Sequence, residues 1–187
     1  MLFFSACKKR AFDSIEFYRK YFFAAAYLGA DYTVFHGDSA KAPFFGMDNY
    51  CEVLARLMEA AKSEGVTLAH ENVSTARGGD PKFIHELHER FGDGNIRFVF
   101  DLKQTVRGGF EPHNMLNAMG KDIVHVHIND WRDGECRLPF DGTLDLTDII
   151  RCIERSGYMG KYIIEVYRHN FHNDSEITTA AKKLFEL

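Results

Sequence analysis

The sequence has no basic excess, no closely spaced cysteine pair, no membrane-length apolar run and no linker. Each absence removes a class of answers. Lys and Arg number 23 against 27 Asp and Glu, a formal net charge of −4. Proteins that bind nucleic acid usually carry a basic excess to neutralise phosphates, so nucleic acid is not expected as the partner. Phosphate on a small ligand needs only one local site and stays open. Cys7, Cys51, Cys136 and Cys152 form no CxxC and no tight spacing, which reads as reduced thiols in a cytoplasmic protein rather than a disulfide framework. No run reaches the roughly 20 apolar residues of a membrane span. "MLFFSACKKR" puts its charges after a very short apolar stretch, the reverse of a secretory signal. Without a low-complexity tract or composition break, residues 1–187 are expected to form one domain.

What is present is a regular alternation of strand-like and helix-like segments. The β-rich runs are "DYTVFH" (31–36), "VTLAHE" (66–71), "IRFVFD" (96–101), "IVHVHI" (123–128) and "KYIIEV" (161–166). Between them, Asn49–Glu64, Pro81–Phe91, Pro112–Met119 and Leu146–Ser156 repeat apolar residues at three- and four-residue spacing, and the stretch from about Asp13 to Leu28 also reads as a helix. Asp80-Pro81 supplies a cap and a proline at the first helical position; Gly65 and Gly157 stand where helices should stop. Such alternation implies βαβ units and a parallel sheet.

Each strand-like run carries a polar or ionisable residue at or near its C-terminal end: His36, Glu71, Asp101, His127 and Glu165. In parallel α/β folds those ends form the active-site face. In "IVHVHINDW" (123–131), Ile123, His125 and His127 share one face of a strand while Val124, Val126 and Ile128 share the other. One face is apolar; the other turns polar toward Asn129 and Asp130. Glu71, Asp101, His127 and Glu165 would together offer three carboxylates and one imidazole, a donor set suited to Mn²⁺, Mg²⁺, Co²⁺ or Zn²⁺. Without a cation, three neighbouring carboxylates would repel one another.

At these residues the chain resembles the xylose isomerase-like (AP endonuclease family 2) TIM barrels, in particular their sugar or sugar-phosphate isomerase/epimerase branch. The matching segments are "LGADYTVFHGD", "VTLAHENV", "FVFDLKQTVRGG", "MGKDIVHVHINDW" and "LPFDGTLDLTDIIRCIERSGYMGKYIIEVY", in the family's order across nearly the whole chain. The resemblance implies an α/β fold of the (β/α)₈ TIM-barrel type with a divalent metal held by Glu71, Asp101, His127 and Glu165. It implies that Glu71 and Glu165 also exchange a proton beside a carbonyl from opposite faces of a small carbohydrate substrate. His125 is then a hydrogen-bonded residue one layer deeper. His36, Asn72, Gln104 and Arg132 are the expected substrate contacts.

The departures are informative too. Gln104 stands where many members carry a histidine, and glutamine is a poor metal ligand. "GECRLPFDG" lacks the histidine that the three-zinc endonuclease IV type has in this region, which argues against DNA repair. Family members begin with a strand, a helix and a second strand ahead of the helix that here starts near Asp13. The expectation is therefore a partial barrel, strands three to eight, counting a short strand near Arg137–Pro139, with two open edges. Self-association through the aromatic first helix and the open edge, most simply as a dimer, follows. The alternative is that "MLFFSACK" folds back over the gap. The competing functions are a metal-dependent dehydratase or endonuclease-like hydrolase, and a non-catalytic family member.

Overall fold

The computed structural model describes residues 3–186. It opens with α1 (Lys8–Tyr27), β1 (Tyr32–Phe35), α2 (Met47–Ser63), β2 (Thr67–Glu71), α3 (Pro81–Phe91) and β3 (Phe98–Asp101). It continues through α4 (Leu102–Arg107), α5 (Pro112–Met119), β4 (Ile123–Ile128), β5 (Asp130–Arg132), β6 (Glu135–Arg137), α6 (Leu146–Arg155), β7 (Tyr162–Ile164) and α7 (Asp174–Phe185). Local chemistry explains the boundaries. Asp80 accepts a hydrogen bond from the Lys82 N–H and Pro81 opens α3; Asp145 does the same for Asp148 at the start of α6. On α6, Leu146, Ile149, Ile150 and Ile153 are buried, a three-and-four spacing whose side chains each contribute about 1.5–3 kcal/mol on leaving water.

Five strands form one parallel sheet in the order β1-β2-β3-β4-β7. This is a half-barrel. Helices cover one face, where Leu54, Leu57, Ile84, Leu87, Phe98, Phe100, Val126 and Ile128 make the core. Among the described residues, no helix is long and apolar enough to cross a membrane.

The expected strand near Arg137–Pro139 does not join the sheet. Instead β6 pairs antiparallel with β5 in a separate hairpin, and β7 pairs directly with β4. The cause is the two-residue turn Asp133-Gly134, with φ of 55° and 78°, the doubly left-handed geometry of a tight hairpin that Asp-Gly favours.

Among the described residues, no further strand pairs with either sheet edge. At the β1 edge, Phe3 packs edge-on to Tyr18 and Phe35, and Phe4 stacks on Tyr50 at 4.1 Å. The described part of "MLFFSACK" does fold back over the first strand; Met1 and Leu2 lie outside the described residues. It leaves Phe17, Tyr21, Phe23 and Tyr27 of α1, and Leu28 just beyond it, exposed. At the other edge Ile163 is exposed as well.

Candidate metal centre

The parallel sheet delivers four side chains from four different strand ends to one place. Glu71 ends β2, Asp101 ends β3, His127 lies near the end of β4 and Glu165 follows β7 directly. Ligand-type atoms of all four lie within 4.8 Å of one another. His127 Nδ1 is their centre, 3.1 Å from Glu71 Oε1, 3.5 Å from Asp101 Oδ2 and 2.7 Å from Glu165 Oε2. The pairing register puts Asp101 beside His127, and the period-two alternation sends Val126 and Ile128 to the helix-covered core instead. His125, one step deeper, meets the Tyr32 hydroxyl through Nδ1 at 2.8 Å.

The electrostatics follow from this crowding. Burial works against a charged His127, yet the surrounding Asp101, Glu165 and Glu71 carboxylates prevail and push it up to about 11. Burial likewise opposes the charge of Glu71, but His127 and His36 overcome it and hold the carboxyl down at about 2. Asp101 is raised, chiefly by burial. Glu165 is lowered by the adjacent His127, against burial and with help from Lys103.

Two carboxylate oxygens have needs that the protein does not meet. Among the described residues, six buried side-chain nitrogen or oxygen atoms lack a hydrogen-bond partner, and Asp101 Oδ2 and Glu165 Oε2 are two of them. Both face His127 Nδ1, Glu165 Oε2 at charge-pairing distance but out of hydrogen-bond alignment. Unmet buried oxygens cost free energy. A divalent cation between three oxygens and one nitrogen would satisfy them, so the residues fit such an ion.

The remaining expected contacts divide. His36 Nε2 lies 3.0 Å from Glu71 Oε2, and that contact first of all raises its pKa; it is largely exposed at the mouth. Asn72 corrects the expectation of a substrate contact. It is fully buried, donating to the Asp101 carbonyl and Thr105 Oγ1 and accepting from the Asp101 N–H. Its amide is consumed in bracing the backbone of Asp101. Gln104 commits Oε1 to Ser74, accepting from its N–H and its hydroxyl. Arg132 stands on the hairpin, its ion contacts going to Asp133 and Asp141 rather than to the four-residue cluster.

Glu165 is less enclosed than the other three: its side chain is 41% exposed, and it follows an edge strand, β7. Lys103 is a residue that the sequence reading passed over. It is 2% exposed, with Nζ 2.7 Å from Glu165 Oε1 and 3.6 Å from Asp101 Oδ2. Burial alone would lower its pKa; the Glu165 and Asp101 carboxylates raise it, so it stays charged. The available signal was its place, two residues past a strand-end aspartate at the start of the following helix.

With this geometry in view, comparison with known proteins decides the family. The model of the xylose isomerase-like TIM barrel family matches residues 5–187. The chain belongs to that family. An uncharacterized protein of Methanocaldococcus jannaschii is 25% identical over 126 residues, 64% of this chain and 43% of that protein. The chain thus spans less than half the length of the curated relatives it matches. Among solved structures, a D-tagatose 3-epimerase-like protein superposes with a TM-score of 0.76 at 21% identity, covering 98% of this chain and 72% of that one. An IOLI protein with a bound zinc atom gives 0.77 at 21% identity with the same coverage. At this identity the likeness is one of fold.

Proposed function

We propose that this xylose isomerase-like chain is a divalent-metal-dependent isomerase or epimerase of a small sugar or sugar phosphate. The observation that carries the reading is the pair of unmet buried oxygens, Asp101 Oδ2 and Glu165 Oε2, converging with Glu71 on His127 Nδ1. The zinc-bound fold relative and the epimerase-like one support it. Glu71, Asp101, His127 and Glu165 would hold the ion. Bound there, it would polarise a substrate carbonyl and stabilise negative charge on the neighbouring oxygen.

The chain's own groups do the proton work. Glu71 and Glu165 are both held ionised at neutral pH, the form that accepts a proton, and they approach the centre from different strands. One carboxylate takes the proton from the carbon beside the carbonyl; the other returns a proton on the opposite face. His36, at the mouth against Glu71, would meet a substrate hydroxyl.

The test is metal analysis of the purified protein, then proton–deuterium exchange from D₂O into a panel of ketoses and their phosphates. Bound metal with exchange at one carbon is expected. Metal without exchange would favour a dehydratase or hydrolase, and no metal would overturn the reading. Glu165→Gln is expected to lower exchange by about 100-fold or more, in the range for losing a positioned acid–base group. The proposal includes a cytoplasmic, single-domain protein that associates as a homodimer through α1 and the β1 edge and has no nucleic-acid partner.

A further inference from the structure

Of the four candidate ligands, three are fixed by the interior and one is not. Glu71, Asp101 and His127 come from strands with a neighbour on each side, and their side chains are 5%, 1% and 16% exposed. Glu165 lies beyond a three-residue strand whose one partner among the described residues is β4. Nothing in that strand prevents its carboxylate from turning to solvent. Lys103 supplies what the strand lacks. Its ammonium reaches Glu165 Oε1 at 2.7 Å from the first turn of α4, next to Asp101.

Lys103 is itself tightly held. Asp101 caps the helix that carries it, accepting from the Gln104 N–H at 2.9 Å. The Tyr167 ring lies 5.3 Å from its Nζ, and Arg107 donates to the Tyr167 hydroxyl. A buried ammonium must be paired, and here its close partner is a single oxygen of a single candidate ligand. The other oxygen of that carboxylate, Oε2, is the one left without a hydrogen bond at the centre.

We propose that Lys103 is a positioning residue that ties Glu165 Oε1 and thereby turns Oε2 onto the point shared by Glu71, Asp101 and His127. The proposal rests on the metal-site reading given above. Lys103 acts through the Glu165 carboxylate that it holds.

The experiment is Mn²⁺ binding to the full chain, followed by electron paramagnetic resonance, for wild type, Lys103→Met, Glu165→Gln and the double variant. Lys103→Met is expected to weaken binding about 10- to 100-fold, the usual effect of losing a group that orients a metal ligand. In the Glu165→Gln background the same change should have less than about a twofold effect, because the tethered carboxylate is gone. Lys103→Arg should restore part of the loss, which a merely space-filling role would not predict. Undiminished binding by Lys103→Met, or an equal loss in both backgrounds, would overturn the proposal. A wild type that binds no Mn²⁺ would instead overturn the functional reading. In that case, or if Lys103→Met does not fold, the nitrogen resonance of the Lys103 ammonium in wild type decides the tether. It should shift on Glu165→Gln, and an unmoved resonance would refute the contact.

Discussion

Two clusters in this half-barrel contain the same kinds of residue and stand at opposite ends of the same strands. At the C-terminal ends are Glu71, Asp101, His127 and Glu165; beside the N-terminal ends of β3 and β4 are His88, Asp93 and Asp122. In each, ligand-type atoms lie within 4.8 Å of one another, but the lone pairs are satisfied differently. In the lower cluster Asp122 accepts from His88 at 2.9 Å, from the Gly94 N–H at 2.9 Å and from Arg97 at 2.7 Å. Asp93 meets Lys121 at 2.7 Å and His88 at 3.3 Å. His88 Nδ1 lies 3.1 Å from the Ala118 carbonyl oxygen. Two acids face two permanent cations there, and the cluster is complete as a structural network. The upper cluster has three acids and two orphaned oxygens. A group of carboxylates needs a metal ion when its oxygens are unmet, not when acids are merely close.

The largest effects should separate the clusters outright. His127→Ala removes a central nitrogen ligand and is expected to weaken Mn²⁺ or Zn²⁺ binding by more than about 100-fold, beyond the range for losing a supporting group. Asp122→Ala should leave that affinity within about twofold in the same calorimetric titration. It should instead destabilise the fold by about 3 kcal/mol, the low end for breaking a buried pair because Arg97 is partly solvated. For a chain of this size that is a fall of roughly 6–12 °C in melting temperature. Metal binding lost with Asp122→Ala would erase the distinction.

The contrast also explains what could be read from the sequence. The upper cluster was legible because strand ends recur at regular intervals and alternation fixes which side of "IVHVHI" faces inward. The strands at 98–101 and 123–128 and the helix at Pro81–Phe91 follow from patterning and capping alone. The lower cluster has no such period: His88 lies on a helix, Asp93 in a loop and Asp122 just before a strand, and only the packed fold brings them together. Lys103 was hidden for a similar reason, since its partner Glu165 is 62 residues away. Adjacency to Glu71 says nothing about the direction of Asn72, which lies just past the end of β2 and spends its amide on Thr105 and the Asp101 backbone. The short strand near Arg137–Pro139 failed because the Asp133-Gly134 turn outweighs the pull of the parallel sheet.

A second prediction sharpens the comparison through protons. In the metal-free upper cluster His127 keeps its proton up to about pH 11, and a divalent ion must displace it from Nδ1. The groups facing that nitrogen are Glu71, Asp101 and Glu165, with Lys103 and His36 behind them; Glu71 and Glu165 are already ionised at neutral pH, whereas His127 must lose its proton. Calorimetry at pH 7 in buffers of different ionisation enthalpy should therefore show about one proton released per metal bound. Affinity should rise about tenfold per pH unit across the neutral range. Binding without proton release would place the ion elsewhere.

The pH profile of stability without metal combines contributions of opposite sign. His127 has a folded value near 11 against 6.5 unfolded; its contribution is complete below about 6.5 and is lost as pH rises toward 11. Two groups work the other way. Buried His70, hydrogen-bonded to Tyr50 and the Glu71 carbonyl, is pushed down to about 4 by burial, so its contribution is present above 6.5 and lost as pH falls. Glu71, at about 2 against 4.5, loses its contribution below about pH 4.5. The metal-free protein should therefore be most stable near pH 6.5, with stability falling on each side by about 1 kcal/mol per pH unit for each group in transition. Thermal melts from pH 4 to 10 would trace this maximum. Excess Mn²⁺ should flatten the alkaline limb, because a ligated His127 carries no proton to lose, and steepen the acid limb, where the unfolded chain takes up the proton that the ion keeps off His127. An alkaline limb unchanged by metal would mean that His127 is not a ligand, and the upper cluster would then be no more than a second version of the lower one.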